Sequence, residues 1–317
     1  MRKIPVPFFG VGLAFAGLAN LFYAETGGWH TAAAVICFAV SAAVETATAV
    51  RVIADREAAG KEIHASASSE CTVCTFFMAL MMLASLAARW GCPSAAAGAV
   101  FICAVIFDVI YIVRFTAARM KGLSLAEVTP AFLIPFIGIA VASVSAAPFD
   151  FPAAKLIAVC AFGAASFCVI PLLIAATVRY VKVPVPDPLR PFFTLYAAPF
   201  ALILSAYIVI CQRGWLAGPA LWRVEVLFVI GQCLYAVVIV KMPKLLKLPF
   251  MPSFTAFTFP LVLPAMAAKQ FITYGLTAGV IGGAAIPPLT ILVLFEYVTA
   301  AAAVIYVFVL YLKAIFR

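Results

Sequence analysis

Charge is what this chain has least of. Only 10% of its 317 residues are Asp, Glu, Lys or Arg, where a water-soluble domain carries about a quarter. So few charges cannot cover a water-facing surface. With 67% hydrophobic residues and a mean hydropathy of +1.18, the composition excludes a soluble globular fold. Histidine is nearly missing as well: His30 and His64 stand alone. There is no glycine-rich phosphate loop, no metal-ligand cluster and no nucleophile with a base beside it, so an enzyme, a metal site and a cofactor are all disfavoured. No small-residue cleavage site separates Met1-Arg-Lys-Ile-Pro-Val-Pro7 from the first apolar run, so no cleavable signal is expected. Nine cysteines mostly fall within apolar runs, where Cys behaves as a small hydrophobe. Cys71-Thr-Val-Cys74 has the C-x-x-C spacing but lacks a second pair or a His, so metal binding is not expected there.

What is present is a succession of membrane-length apolar runs. A spanning helix needs about 20 apolar residues, and ten candidates follow one another, at approximately 7–25, 29–54, 71–89, 93–118, 130–148, 152–180, 191–213, 217–242, 252–274 and 284–314. Their connections alternate between short Gly, Pro or Asp turns and longer charged loops. Of 21 Lys and Arg, 16 fall on the side of the longer loops and the termini; Arg89, Lys155, Arg213, Arg223 and Lys269 fall on the other. Positive loops stay cytoplasmic, which predicts both termini inside and five hairpins. The basic net charge of +9 is thus a topology signal, and nucleic acid is not an expected partner.

Four odd-numbered spans open with Pro followed closely by Phe: Pro7-Phe-Phe-Gly, Pro130-Ala-Phe-Leu, Pro191-Phe-Phe-Thr and Pro252-Ser-Phe-Thr. The last three are 61 residues apart and the first gap is two periods, with an unmarked copy expected near Ser68. The chain therefore reads as one all-α membrane domain, 1–317, of five tandem hairpins at approximately 7–54, 68–118, 130–180, 191–242 and 252–314. Two spans per copy give every copy the same orientation, and such parallel repeats are related by an axis along the membrane normal. The expectation is ten helices in pseudo-fivefold array, with the odd spans inside around a central pore. The odd spans also hold most of the internal prolines, Pro135, Pro199, Pro260 and Pro264. A proline-broken span survives in a membrane only where its freed carbonyls are satisfied by protein or cavity water.

Residues at one offset in each copy share height and facing. Offset seven gives Ala14, Thr75, Ile137, Ala198 and Phe259, with Gly10 replacing Ala14 if the first copy slips by a turn. Phe259 is the large aromatic of that layer and the candidate to occlude the lumen. The alternative is that it packs between helices, as most of the 28 phenylalanines must.

Thr255-Ala-Phe-Thr-Phe259-Pro260-Leu resembles the ninth-span motif of the tellurite-resistance/C4-dicarboxylate transporter family, which includes plant guard-cell slow anion channels and bacterial tellurite-resistance protein A. Pro5-Val-Pro7-Phe-Phe-Gly10 resembles that family's first span. The resemblance implies a pseudo-fivefold ring of inner helices, a central anion pore in each protomer and a homotrimer in a cell membrane, plasma or bacterial inner. It places the family's gating phenylalanine at Phe259 and the small first-span residue it packs near at Gly10. Two positions depart from the pattern: the third span has no kinking proline, and Pro260 stands where tellurite-resistance protein A has glycine.

The function expected on these grounds is passive conduction of small inorganic anions such as chloride or nitrate across the lipid bilayer. The alternative is a proton-coupled transporter of C4-dicarboxylate, sulfite or tellurite-type oxyanions; a third class, a non-transporting membrane protein, predicts a filled centre. Lys269, Arg213 and Arg89, near the outer ends of odd spans, are candidates to attract anions to a mouth, and Arg190 and Lys3 to do so at the cytoplasmic end. Each has snorkelling to headgroups as its simpler explanation. Glu45, Asp108 and Glu296 lie within even spans, off the expected ion path. They read as hydrogen-bonding groups between the rings or at a subunit interface, or as protonatable sites under the transporter alternative.

Overall fold

Two kinds of helix alternate along the chain in the computed structural model, which describes residues 4–25, 27–119, 121–218, 220–279, 281–282 and 285–316. The first hairpin is α1 (Phe9–Tyr23) with α2 (Gly28–Ala54). Short α3 (Arg56–Ile63) and α4 (Ala67–Cys71) lead into the second, α5 (Cys74–Arg89) with α6 (Ser94–Arg119). The third sets α7 (Leu133–Gly138) and α8 (Val141–Ser145) against α9 (Pro152–Lys182). The fourth is α10 (Pro199–Gln212) with α11 (Leu221–Leu245), and the fifth α12 (Phe259–Thr277) with α13 (Ile286–Phe316).

The first member of each pair is interior and the second peripheral. Between 67% and 94% of the central window is buried in the spans Val6–Tyr23, Ala67–Arg89, Asp187–Gln212 and Pro252–Thr277, against 22–33% in the five long partners. The partners expose large apolar side chains such as Ile36, Phe107, Phe167 and Val240. A bilayer would cover that apolar surface, and these helices hydrogen-bond their own backbone, as lipid demands. The interior segments close a ring: α1 packs on α5, α5 on α7 and α8, both of these on α10, α10 on α12, and α12 back on α1. Each peripheral helix also touches the next interior segment, α2 on α5, α6 on α7, α9 on α10, α11 on α12 and α13 on α1, and so wedges the ring from outside.

Two details differ from the sequence expectation. Nine helices among the described residues are long and apolar enough to span a membrane; the expected span at 130–148 is instead the shorter apolar segment Pro130–Ser145. Pro135 has no N–H to give, and the chain tightens beyond it into i→i−3 bonds, from Ala140 to Ile137 (3.0 Å), Ala142 to Ile139 (2.9 Å) and Ser143 to Ala140 (3.0 Å). Each such turn rises about 2.0 Å per residue instead of 1.5, which extends the reach of a short segment.

The second difference concerns the prolines. Pro199 and Pro260 do not kink continuous helices. They sit in the first turn of α10 and α12, after the 3-10 segments Asp187–Ala197 and Pro252–Phe257. A proline there loses only a donor that would be orphaned anyway. Between the last pair, Thr258 is neither helical nor extended (φ −103°, ψ −93°). Only Pro264 lies inside α12. The unmarked second copy starts by other means: the Ser66 side chain caps α4, accepting a bond from the Ser69 N–H.

Candidate functional site

Two cavities lie inside the ring, one beyond the other. The first, about 60 Å³, takes its wall from all five interior segments: Gly10 and Leu13; Thr72, Thr75 and Met78; Leu133 to Gly138; Phe192 to Leu202; and Thr255 to Leu263. The second, about 220 Å³, also draws on all five: Asn20, Leu21 and Ala24; Arg89; Val144; Val209 and Gln212; and Met266, Lys269, Gln270 and Thr273. The same helices therefore bound both spaces at successive heights, Gly10 and Leu13 against Asn20 and Ala24 on α1, Phe259 and Leu263 against Met266 and Gln270 on α12.

Of the offset-seven residues, Thr75, Ile137, Ala198 and Phe259 line the first cavity, together with Pro260. The first copy contributes Gly10; Ala14 is fully buried and faces elsewhere. The Phe259 ring points toward α1 at Gly17, a position that sequence reasoning missed. A Cβ added at Gly17 would meet Phe259 Cε2 at 3.1 Å and Val262 at the same distance. Gly10, seven residues and about 10 Å earlier on the helix, instead gives room to Thr255. Gly17 lies between the α1 residues of the first cavity and those of the second, while Phe259 belongs to the wall of the first, with Leu263 beyond it on α12. The run Gly10-Val-Gly12-Leu-Ala-Phe-Ala-Gly17 announced a small-residue face; which glycine meets the ring depends on how α1 and α12 are set against each other.

The expected mouth cations part company. Arg89 and Lys269 share the second cavity. Lys269 is ion-paired with Glu25 and donates to the Ala24 carbonyl (2.6 Å), and Glu25 also accepts from the Tyr297 hydroxyl (2.6 Å). Partial burial works against the Glu25 charge, but the bonds from Lys269 and Tyr297 outweigh it and hold the carboxyl below its usual range. Arg89 stacks 5.8 Å over the Tyr23 ring. Arg213 turns away, bound to Asp150 and lying 5.2 Å over Trp215. Arg190 pairs with Asp187 beside it (2.8 Å), and Lys3 lies outside the described residues.

Glu45, Asp108 and Glu296 are buried, and none lines either cavity. Glu45 presses against Gly12 on α1, Asp108 adjoins Cys74 on α5, and Glu296 adjoins Gln232 on α11. Their carboxylate oxygens make no well-formed hydrogen bond. They join the peripheral helices to their neighbours and stand apart from the axis.

Residues 3–312 match the family model described as SLAC1, voltage-dependent anion channel. No curated protein matches the chain. A match over nearly the whole length shows the family: the chain belongs to it, and is a multi-pass membrane protein of the anion channel and transporter class.

Proposed function

From that membership, we propose that the chain conducts small monovalent anions passively along the axis of its interior ring, with Phe259 as the plug. The observation that supports this reading is the pair of cavities inside the ring, each bounded by all five interior segments, with Phe259 in the wall of the first. Five helices in contact at about 8–10 Å spacing stand roughly 7–8 Å from their common axis, too far for Ala and Gly to fill the centre. A lumen results wherever small residues face it, and one aromatic side chain is enough to close it. The first cavity carries no charge, which suits conduction, since an ion must bind weakly enough to leave. Selectivity then follows the cost of dehydrating the anion.

The reading includes a single unit of ten spans, Pro130–Ser145 counting as the fifth, in five pseudo-fivefold hairpins. The basic loops put both termini in the cytoplasm, with the Arg89 and Lys269 cavity as the outer vestibule. Three copies form the homotrimer in the cell membrane. Phe259→Ala tests the plug: anion current in oocytes or planar bilayers should rise by at least tenfold at matched surface expression. An unchanged current would remove Phe259 from the gate.

The buried carboxylates are the observation favouring a second reading, proton-coupled transport. Asp108→Asn and Glu296→Gln distinguish the two. Passive current survives both changes, whereas coupled, pH-driven flux is lost with the group that carries the proton.

A further inference from the structure

A groove on the outside of the bundle answers to a different chemistry. Peripheral helices α9 and α11 both pack on α10, and the space left between them is about 320 Å³. Phe200, Ile203 and Tyr207, on one face of α10 by their spacing, form its floor. Its wall is apolar except at one end, where Trp222 and Arg223 open α11; the Ser166 hydroxyl in that wall is buried. From these residues we infer that the groove holds one anionic phospholipid of the surrounding membrane, its phosphate on the Arg223 guanidinium and one acyl chain laid along α10. The site is apart from the interior cavities and does not depend on what passes through them.

Charge selects the headgroup. At the same end of the bundle Arg213 is taken by Asp150 and Lys269 by Glu25. Arg223 has no carboxylate partner among the described residues; its guanidinium lies 5.2 Å over the Trp222 ring. Glu225 is two residues along α11, and residues so spaced do not face each other. Trp222 is exposed there, the residue type that anchors at the headgroup level. The end of the groove is preformed. Tyr207 stacks on Phe162 at 5.8 Å, and its hydroxyl accepts from the Ala220 N–H (3.0 Å), which pins the start of α11 over α10. Length and width select the tail. The α9 side runs from Phe162 to Ile170, about 12 Å of helix, within the roughly 15 Å of hydrocarbon in one leaflet. A helix of a second copy, about 10–12 Å across, is too broad to lie in this space; a single hydrocarbon chain fits. A second groove against α9, about 340 Å³ and walled by Thr116, Phe132 and Ala175 among others, has no charged residue and serves as the control.

Native mass spectrometry of the whole chain, after incubation in detergent with phosphatidylglycerol or with phosphatidylcholine of the same chains, counts the bound lipid. Phosphatidylglycerol should be held about fivefold more tightly, the effect of one Arg on an anionic lipid. Arg223→Gln should abolish that preference, and Arg223→Lys should keep it within about twofold. Val226→Trp, which fills the groove from its exposed side, should lower retention of both lipids, whereas Ala175→Trp in the uncharged groove should not. A preference unmoved by Arg223→Gln overturns the headgroup assignment, and retention unmoved by Val226→Trp overturns the groove. If Val226→Trp instead breaks up an oligomer without losing lipid, a second copy covers this face and the proposal fails. Should these variants not be recovered folded, thermal melting of the parent decides: stabilisation by phosphatidylglycerol beyond phosphatidylcholine supports the site, and equal stabilisation overturns it.

Discussion

The two chambers are built from the same five segments and share almost nothing else. The inner one is narrow and, apart from threonine hydroxyls, apolar. The outer one is nearly four times larger and carries Asn20, Arg89, Gln212, Lys269 and Gln270. Helices that run past both must change character within about two turns, as α12 does between Leu263 and Lys269. The contrast assigns different work to each end. On the proposed conduction, charge in the wide chamber would collect anions from solution through long-range attraction. On the same proposal, apolar closeness in the narrow one would make them shed water, and the Phe259 ring would decide whether the two communicate.

The largest effect should come from erasing the boundary. With Phe259→Ala the chambers merge, and adding Gly17→Phe should return the current most of the way to the wild-type level, because α1 then supplies an aromatic at the height the lost ring filled. The same bulk at Gly10 enters the inner chamber against Thr255 instead. If Gly10→Phe restores closure and Gly17→Phe does not, the boundary sits a full two turns from where the ring contact puts it. Single-channel recording with surface biotinylation separates gating from expression.

A smaller effect is expected from the outer chamber's charge. A unit charge about 10 Å from an ion in a water-filled vestibule contributes roughly 0.4 kcal/mol, a factor of about two in local concentration. Arg89→Gln should therefore lower current carried by external anions about twofold at low salt, and the difference should vanish near 1 M, where charges are screened within about 3 Å. A twofold loss that persists at high salt would mean that Arg89 supports the fold and not the field.

Lys269 should matter less than Arg89, because Glu25 already neutralises it. Lys269→Gln then changes the current by less than Arg89→Gln does, while Glu25→Gln raises it by somewhat under twofold. The pH dependence follows from the same pair. The carboxyl is held below its ordinary value of 4.5, so the ion pair and the stability it contributes are fully present above that value. They are lost only as pH falls through the lowered one. Current should be flat from pH 7 to 5 and rise in more acid solution, and the acid rise should be absent in Glu25→Gln. A step centred near neutral pH would assign the titration to another group.

Much of this arrangement was legible along the chain. The alternation of buried and exposed helices follows from spacing alone, and Thr75, Ile137, Ala198 and Phe259 share a cavity because equal offsets in repeated hairpins bring side chains to equal height. Arg213 shows where such reasoning stops. It ends an interior span just as Lys269 does, yet it is taken by Asp150 from the neighbouring hairpin, a partner 63 residues away that no local pattern reveals. The short third interior segment was hidden too, since apolar content does not report whether backbone bonds run to the fourth or the third residue.

By itself the sequence determined the medium, the period and the layering, because scarcity of charge, the 61-residue spacing and burial by turn of helix are properties of neighbours along one chain. Only the tertiary structure decided that Gly17 rather than Gly10 meets the aromatic ring, and that the Tyr311 hydroxyl donates to the Pro252 carbonyl. Both depend on how α1, α12 and α13 are rotated and slid against one another when the last hairpin closes on the first. That placement is set by side-chain packing between segments nearly the whole chain apart, and it carries no signature within any one of them.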